Sequence, residues 1–225
     1  MTLQILNHSK SSNYYAYEEY LMELESKKIG VYFLCSPAVM KNAVQRQGQT
    51  LKGGDKPKRL GELLLEAGNI SQDELEVAVR KQRVDRLRLS PVFHMLSDPE
   101  LAAISKRFEE VSIEPGKQFI IQDEPDPTLY ILASGRVEVY RTTLDGQHIH
   151  IAFLEPPEPI GEMGYFQGGI RNASVKAVGN VQLLQANYSD LTHYFEYVPR
   201  VAHEFMKIVE HRKYETEKIV QSKPQ

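Results

Sequence analysis

Hydrophobic positions change their period along the chain, and the change divides it. Between residues 59 and 82 they recur at helical spacing: Leu60, Leu63, Leu64 and Ala67 fall on one stripe, ending at Gly68. Ser71 followed by Glu74 is a capping box, and Leu75, Ala78, Val79 and Gln82 line one face of a second helix. Ser97 and Asp98 supply N-cap chemistry for another, with Leu101, Ile104 and Phe108 as its apolar stripe. Period two then takes over. Val111, Ile113, Phe119 and Ile121 flank the turn Glu114-Pro115-Gly116, and Leu129, Ile131 and Leu132 lead into Ser134-Gly135. Val137 and Val139 alternate with Glu138 and Tyr140, Leu144 to Gln147 makes a hairpin, and His148 to Leu154 alternates again. Val175 to Ala186 supplies the last strands. Ser189 or Asp190 caps a helix holding Leu191 and Phe195, and Pro199 opens a final one with Val201, Phe205, Ile208 and Val209 inward. Many short strands with glycine turns, bracketed by helices, predict an α+β protein built on a jelly roll.

The N-terminal stretch is less regular. Leu21 and Leu24 make one side of a helix over Tyr14 to Lys27, Ile29 to Leu34 favours an extended form, and Pro37 opens a helix through Val44. Gly48 to Lys58, with Gly53-Gly54 and Pro57, reads as a linker.

Composition narrows the function. A net charge of −3 gives no global attraction to nucleic acid or to a membrane surface. Cys35 is the only cysteine, which excludes an intrachain disulfide and a cysteine-cluster metal site. His148 and His150 share one strand face with no third ligand nearby, and read as solvent-facing residues. The start has no apolar core of signal-peptide length, and Ile29 to Cys35 is too short to span a bilayer, so a cytoplasmic protein without membrane insertion is expected. No phosphate loop, zinc-protease helix or nucleophile elbow occurs. An enzyme is not expected.

The chemistry gathers in residues 160–177. Gly161, Gly164, Gly168 and Gly169 permit a tight path with backbone close to a ligand. One helical turn there points free N–H groups at an anion, and Arg171 adds a bidentate clamp. Glu162 can accept hydrogen bonds from a sugar hydroxyl. An anion and a hydroxyl recognised side by side describe a sugar phosphate.

Gly161-Glu162, then Arg171-Asn172-Ala173-Ser174-Val175, resembles the phosphate-binding cassette of the cyclic-nucleotide-binding domain family, and the resemblance runs from Leu89 to about Arg212. It implies that Arg171 binds the cyclic phosphate and Glu162 the ribose 2′-hydroxyl, with Gly161, Met163, Gly164, Asn172, Ala173 and Ser174 completing the site. It implies cAMP or cGMP as ligand, a roll with helices at both ends, and a last helix that closes over the base and carries the signal.

Arg59-Leu60-Gly61, Leu64, Gly68, Leu75 and Gln82 look like one repeat from the N-terminal domain of type II secretion and pilus assembly ATPases. Two such repeats in tandem bind cyclic di-GMP in part of that family. The resemblance implies contacts from Arg59, Leu60, Gly61, Leu64 and Gln82. With one copy visible, such a site would require a homodimer.

The expected organisation is an N-terminal region (1–47), a linker (48–58), a helical pair (59–88), a cyclic-nucleotide-binding roll (89–212) and a charged tail (213–225). The expected function is a signalling sensor or adaptor that binds a cyclic mononucleotide and passes a conformational change to its N-terminal half or a protein partner. The tail is too short for a helix-turn-helix, so no DNA binding by the protein alone is expected. The alternatives are a docking protein whose roll binds nothing, and a cyclic di-GMP-responsive regulator of a secretion, pilus or transcription complex.

Overall fold

A computed structural model describes residues 32–33, 35–52 and 58–221. The helix expected over Tyr14 to Lys27 lies outside the described residues. The chain divides into two compact units, Met1–Asp85 and Arg86–Gln225.

In the first unit, helix α1 spans Pro37–Lys52 and so runs through Gly48 into the stretch read as a linker. A glycine inside a helix costs about 1 kcal/mol relative to alanine, too little to stop a run of good helix formers such as Gln45, Arg46 and Gln47. Helix α2 spans Leu60–Glu66 and α3 spans Gln72–Leu89, ending beside the boundary expected for the helical pair at 88. The Ser71 cap forms as expected: the Glu74 amide donates to Ser71 Oγ (3.2 Å) and the Ser71 amide to Glu74 Oε2 (2.7 Å). Phe33, Ala43, Leu60, Leu64, Ile70 and Ala78 form the core of this unit, edged by Cys35, Val39 and Leu75. A Cβ on Gly61 would lie 2.5 Å from Leu75 Cδ1, so glycine there lets α2 and α3 approach closely.

The second unit holds helix α4 (Asp98–Ile104), eight strands and two C-terminal helices. Ser97 caps α4 through a box with Glu100, and Leu101, Ile104 and Phe108 are all buried. Strands β1 (Glu109–Ile113), β2 (Gln118–Ile120), β3 (Thr128–Ser134), β4 (Val137–Thr142), β5 (His148–Leu154), β6 (Pro159–Ile160), β7 (Ser174–Ala177) and β8 (Val181–Asn187) form two antiparallel four-stranded sheets. Their orders are β1-β8-β3-β6 and β2-β7-β4-β5. Leu132, Ile160 and Leu183 of one sheet meet Ile120, Val137, Val175 and Ala177 of the other in a shared core. Each such side chain, fully buried, contributes roughly 1.5–3 kcal/mol.

Strict alternation fails at two places, and bulges explain both. The pairing of β2 with β7 shifts between Gln118 and Ile120, which buries Ile120 and leaves Ile121 exposed, against the expected Phe119/Ile121 parity. The pairing of β4 with β5 shifts between Val139 and Tyr140, turning Tyr140 inward although it was placed outside with Glu138. His148 and His150 do face solvent; His148 stacks on Tyr140 (4.5 Å) and His150 lies 3.1 Å from Glu138.

Helix α5 (Tyr188–Tyr197) starts one residue before the predicted cap, with Asn187 at the N-cap position. Helix α6 spans Pro199–Gln221, with Pro199 in its first turn. The expected charged tail is therefore a continuation of this helix as far as Gln221. Phe195 and Phe205 stack at 4.0 Å, Phe93 packs on Phe195 at 6.3 Å, and Tyr165 meets Phe205 edge-on at 5.6 Å. This aromatic cluster ties α5 and α6 to the turn at the centre of the cassette. No helix among the described residues is long and apolar enough to cross a membrane.

Candidate functional site

The site is built where β6 ends and the chain turns sharply. Ile160 is the last strand residue, Gly161 has φ +88°, and a six-residue 3₁₀ turn follows over Glu162–Gln167. Glycine is demanded twice. A Cβ on Gly161 would lie 2.2 Å from Arg171 Nη1 and 2.9 Å from the Thr128 carbonyl oxygen, and one on Gly164 would lie 2.8 Å from Tyr188 Oη. The turn is thus folded directly against the arginine that follows it.

Arg171 is among the largest fully buried side chains of the described residues, at 2% exposure. All three of its guanidinium nitrogens meet protein acceptors. Nη1 donates to the Gly161 carbonyl (3.0 Å) and to Tyr188 Oη (2.9 Å). Nη2 donates to the Thr128 carbonyl (2.6 Å) and lies 2.7 Å from Asp126 Oδ2, to which Nε donates at 3.3 Å. Tyr188 in turn donates to the Gly161 carbonyl. Burial pushes the Tyr188 pKa well above the ordinary tyrosine value; Arg171 opposes that rise, and Glu162 and Asp126 add to it. The hydroxyl therefore stays protonated and serves as donor and acceptor at once.

Glu162, 3% exposed, sits at the other end of the turn. Its Oε2 lies 3.0 Å from Arg212 Nη1 of α6. Arg212 also pairs with Glu158 and donates to the Pro159 carbonyl. Burial works against the Arg212 cation, but Glu162 and Glu158 more than offset it and raise its pKa.

Between these groups lies a cavity of 610 Å³, within the roughly 300–1,000 Å³ of small-molecule sites. Gly161, Glu162, Met163, Gly164, Arg171, Asn172 and Ala173 line one side of it. Ile120, Val139 and Val175 line the sheet beneath, Ile151 and Leu154 come from β5, and α6 adds Arg212, Glu215, Thr216 and Ile219. Of the eight cassette residues named from the sequence, Ser174 alone is not on the cavity wall. Its buried Oγ accepts from the Gln122 amide (3.0 Å) and Gln118 Nε2 (3.2 Å), tying the cassette to β2 and the loop beyond it.

The sequence did not point to Asp126, Tyr188 or Arg212. Asp126 and Tyr188 lie 45 and 17 positions from Arg171, and only the sheet pairing unites them. Arg212 could have been found: 212, 216 and 219 repeat at helical spacing into the stretch expected to be a charged tail.

In the first unit, Leu60, Gly61, Leu64 and Gln82 are buried, while Arg59 is exposed just ahead of α2.

A β-roll carrying a buried Glu and Arg on a glycine-folded turn defines a class, and comparison identifies it: residues 110–197 are a cyclic nucleotide-binding domain. The chain is 34% identical over 123 residues to the cyclic AMP receptor protein of Thermus thermophilus, covering 55% of this chain and 57% of that one. It is 23% identical over 121 residues to a CRP-like cAMP-activated global transcriptional regulator of Mycobacterium tuberculosis, covering 54% of each. Among solved structures it resembles the Thermus thermophilus catabolite activator protein, with a TM-score of 0.52 and 32% identity over 58% of this chain and 62% of that chain. The chain thus spans about half the length of the curated relatives it matches.

Proposed function

We propose that the protein is a sensor of a cyclic mononucleotide, bound in the 610 Å³ cavity with its phosphate at Arg171 and its ribose 2′-hydroxyl at Glu162. The observation that carries this reading is the pairing of two oppositely charged, almost fully buried side chains at the two ends of one turn, both on the wall of one cavity. In this structure Asp126 pairs with Arg171 and Arg212 with Glu162; a cyclic nucleotide offers an anion and a hydroxyl donor that can exchange for or share those partners. Gly161 and Gly164 leave backbone where a Cβ would otherwise fill the approach to Arg171.

The signal leaves through α6. Its Arg212 grips Glu162, the group assigned to the ribose, and its Phe205 packs on Tyr165 of the same turn. A ligand hydroxyl at Glu162 must share that carboxylate with Arg212, so occupancy and the position of α6 are linked. This is regulatory rather than catalytic work, and the names of the relatives make regulation of transcription one output.

Thermal denaturation with added nucleotide tests the reading. A ligand at 100 times its Kd stabilises the folded state by about 2.7 kcal/mol, several degrees in Tm. cAMP or cGMP should produce that rise and cyclic di-GMP should not. No rise with either cyclic mononucleotide at millimolar concentration would overturn the assignment.

A further inference from the structure

The nitrogens of Arg171 are not held alike. Nε and Nη2 are anchored by charge, since both reach Asp126 Oδ2, which belongs to a residue off the cavity wall. Nη1 faces the cassette turn. A Cβ on Gly161 would lie 2.2 Å from it and one on Gly164 3.5 Å from it, and both glycines line the cavity. Its acceptors are neutral: the Gly161 carbonyl (3.0 Å) and the Tyr188 hydroxyl (2.9 Å). These two are not independent, because the Tyr188 hydroxyl donates to that same carbonyl. One hydroxyl therefore fixes Nη1 twice, directly and through its other acceptor.

Tyr188 is itself firmly placed. It opens α5, its amide donates to the Pro127 carbonyl (2.8 Å), and its ring meets Tyr165 of the turn edge-on at 5.4 Å. The hydroxyl also accounts for a glycine, since a Cβ on Gly164 would lie 2.8 Å from Oη.

We infer that Tyr188 is a positioning residue for the phosphate: its hydroxyl aims Nη1 of Arg171 so that the guanidinium meets one exocyclic oxygen of a cyclic phosphate and not the other. The inference rests on the cyclic-nucleotide reading above. A cyclic phosphate carries two exocyclic oxygens on opposite sides of its ring. A guanidinium held in one orientation bonds one of them; one free to pivot on its Asp126 edge meets either. When the phosphate takes a share of Nη1, the hydroxyl, being donor as well as acceptor, keeps its bond to Gly161. A neutral group suits this place, because it orients the cation without adding a negative charge that would repel the ligand.

The test uses the two diastereomeric phosphorothioates of cAMP and of cGMP, each with sulfur in place of one exocyclic oxygen. They and the parent nucleotides are titrated calorimetrically into the full chain, as wild type and as Tyr188→Phe. Sulfur is a larger and weaker acceptor, so losing one charge-assisted bond should separate the diastereomers by about tenfold or more in wild type. Tyr188→Phe keeps the ring that packs on Tyr165 and removes the hydroxyl alone. It should bind the parent nucleotide about fivefold more weakly and bring the diastereomer ratio toward one. A purely structural role would weaken both diastereomers equally and leave the wild-type ratio in place. That result, an unchanged parent affinity in Tyr188→Phe, or a ratio of one in wild type overturns the inference and leaves the cyclic-nucleotide reading intact. Absence of binding by either parent nucleotide to wild type overturns both.

Discussion

Replacing Arg171 by alanine probes the centre of the site before any ligand is added. The side chain is 2% exposed, and its guanidinium serves Asp126, the Thr128 and Gly161 carbonyls and Tyr188. Removing it strands a carboxylate, a hydroxyl and two carbonyls together. Breaking a buried ion pair from one side costs about 3–5 kcal/mol. Asp126 keeps 26% of its side chain exposed, so water recovers part of its solvation, and the lower end, about 3 kcal/mol, is appropriate. At roughly 2–4 °C per kcal/mol for a chain of this size, Tm should fall by about 6–12 °C. The assay is calorimetric or circular-dichroism melting of nucleotide-free protein at pH 7. The double variant Asp126→Asn/Arg171→Ala should recover part of the loss, since no charge is then left unpaired. A Tm within about 1 °C of wild type for Arg171→Ala would refute the reasoning, because it would mean that the buried network contributes nothing.

Acid stability offers a second check. Hydrogen bonds from the Ser97 side chain and amide, with Arg200, depress the Glu100 pKa from 4.5 to about 2. A carboxylate with a depressed folded-state pKa stabilises the fold above its unfolded value and loses that contribution as pH falls through the folded one. Glu100→Gln should therefore flatten the stability profile between pH 4.5 and pH 2, and an unchanged profile in acid melts would contradict it. A gel-shift assay with cyclic nucleotide at physiological salt should show no sequence-specific DNA complex of this 225-residue chain, whose net charge is −3; nanomolar, sequence-dependent binding would refute that expectation.

How much of this was legible in the sequence depended on how local the determinant was. The Ser71 and Ser97 caps, the turn at Gly146 and the glycine-folded cassette are set within a few residues, and each forms as the pattern implied. The parity of β2 and β4 was not readable, because a bulge is fixed by pairing with a strand far along the chain. Glu162 and Arg171 were visible as a motif, but their partners were not. Asp126 reaches Arg171 from the loop before β3, and Arg212 reaches Glu162 from α6. Residues 213–225 read as a charged tail because their charges are dense; as a continuation of α6, one face of that helix becomes a wall of the site.

The central claim is that Glu162 recognises a ribose hydroxyl in this cavity. It is tested most directly by calorimetric binding of a cyclic purine mononucleotide and its 2′-deoxy analogue to wild type and to Glu162→Gln. A hydrogen bond to a charged group is worth roughly 1.5–3 kcal/mol. Wild-type protein should bind the deoxy analogue at least about tenfold more weakly than the parent, and Glu162→Gln should show a clearly smaller difference. Equal loss of affinity for the deoxy analogue in both proteins would contradict the account.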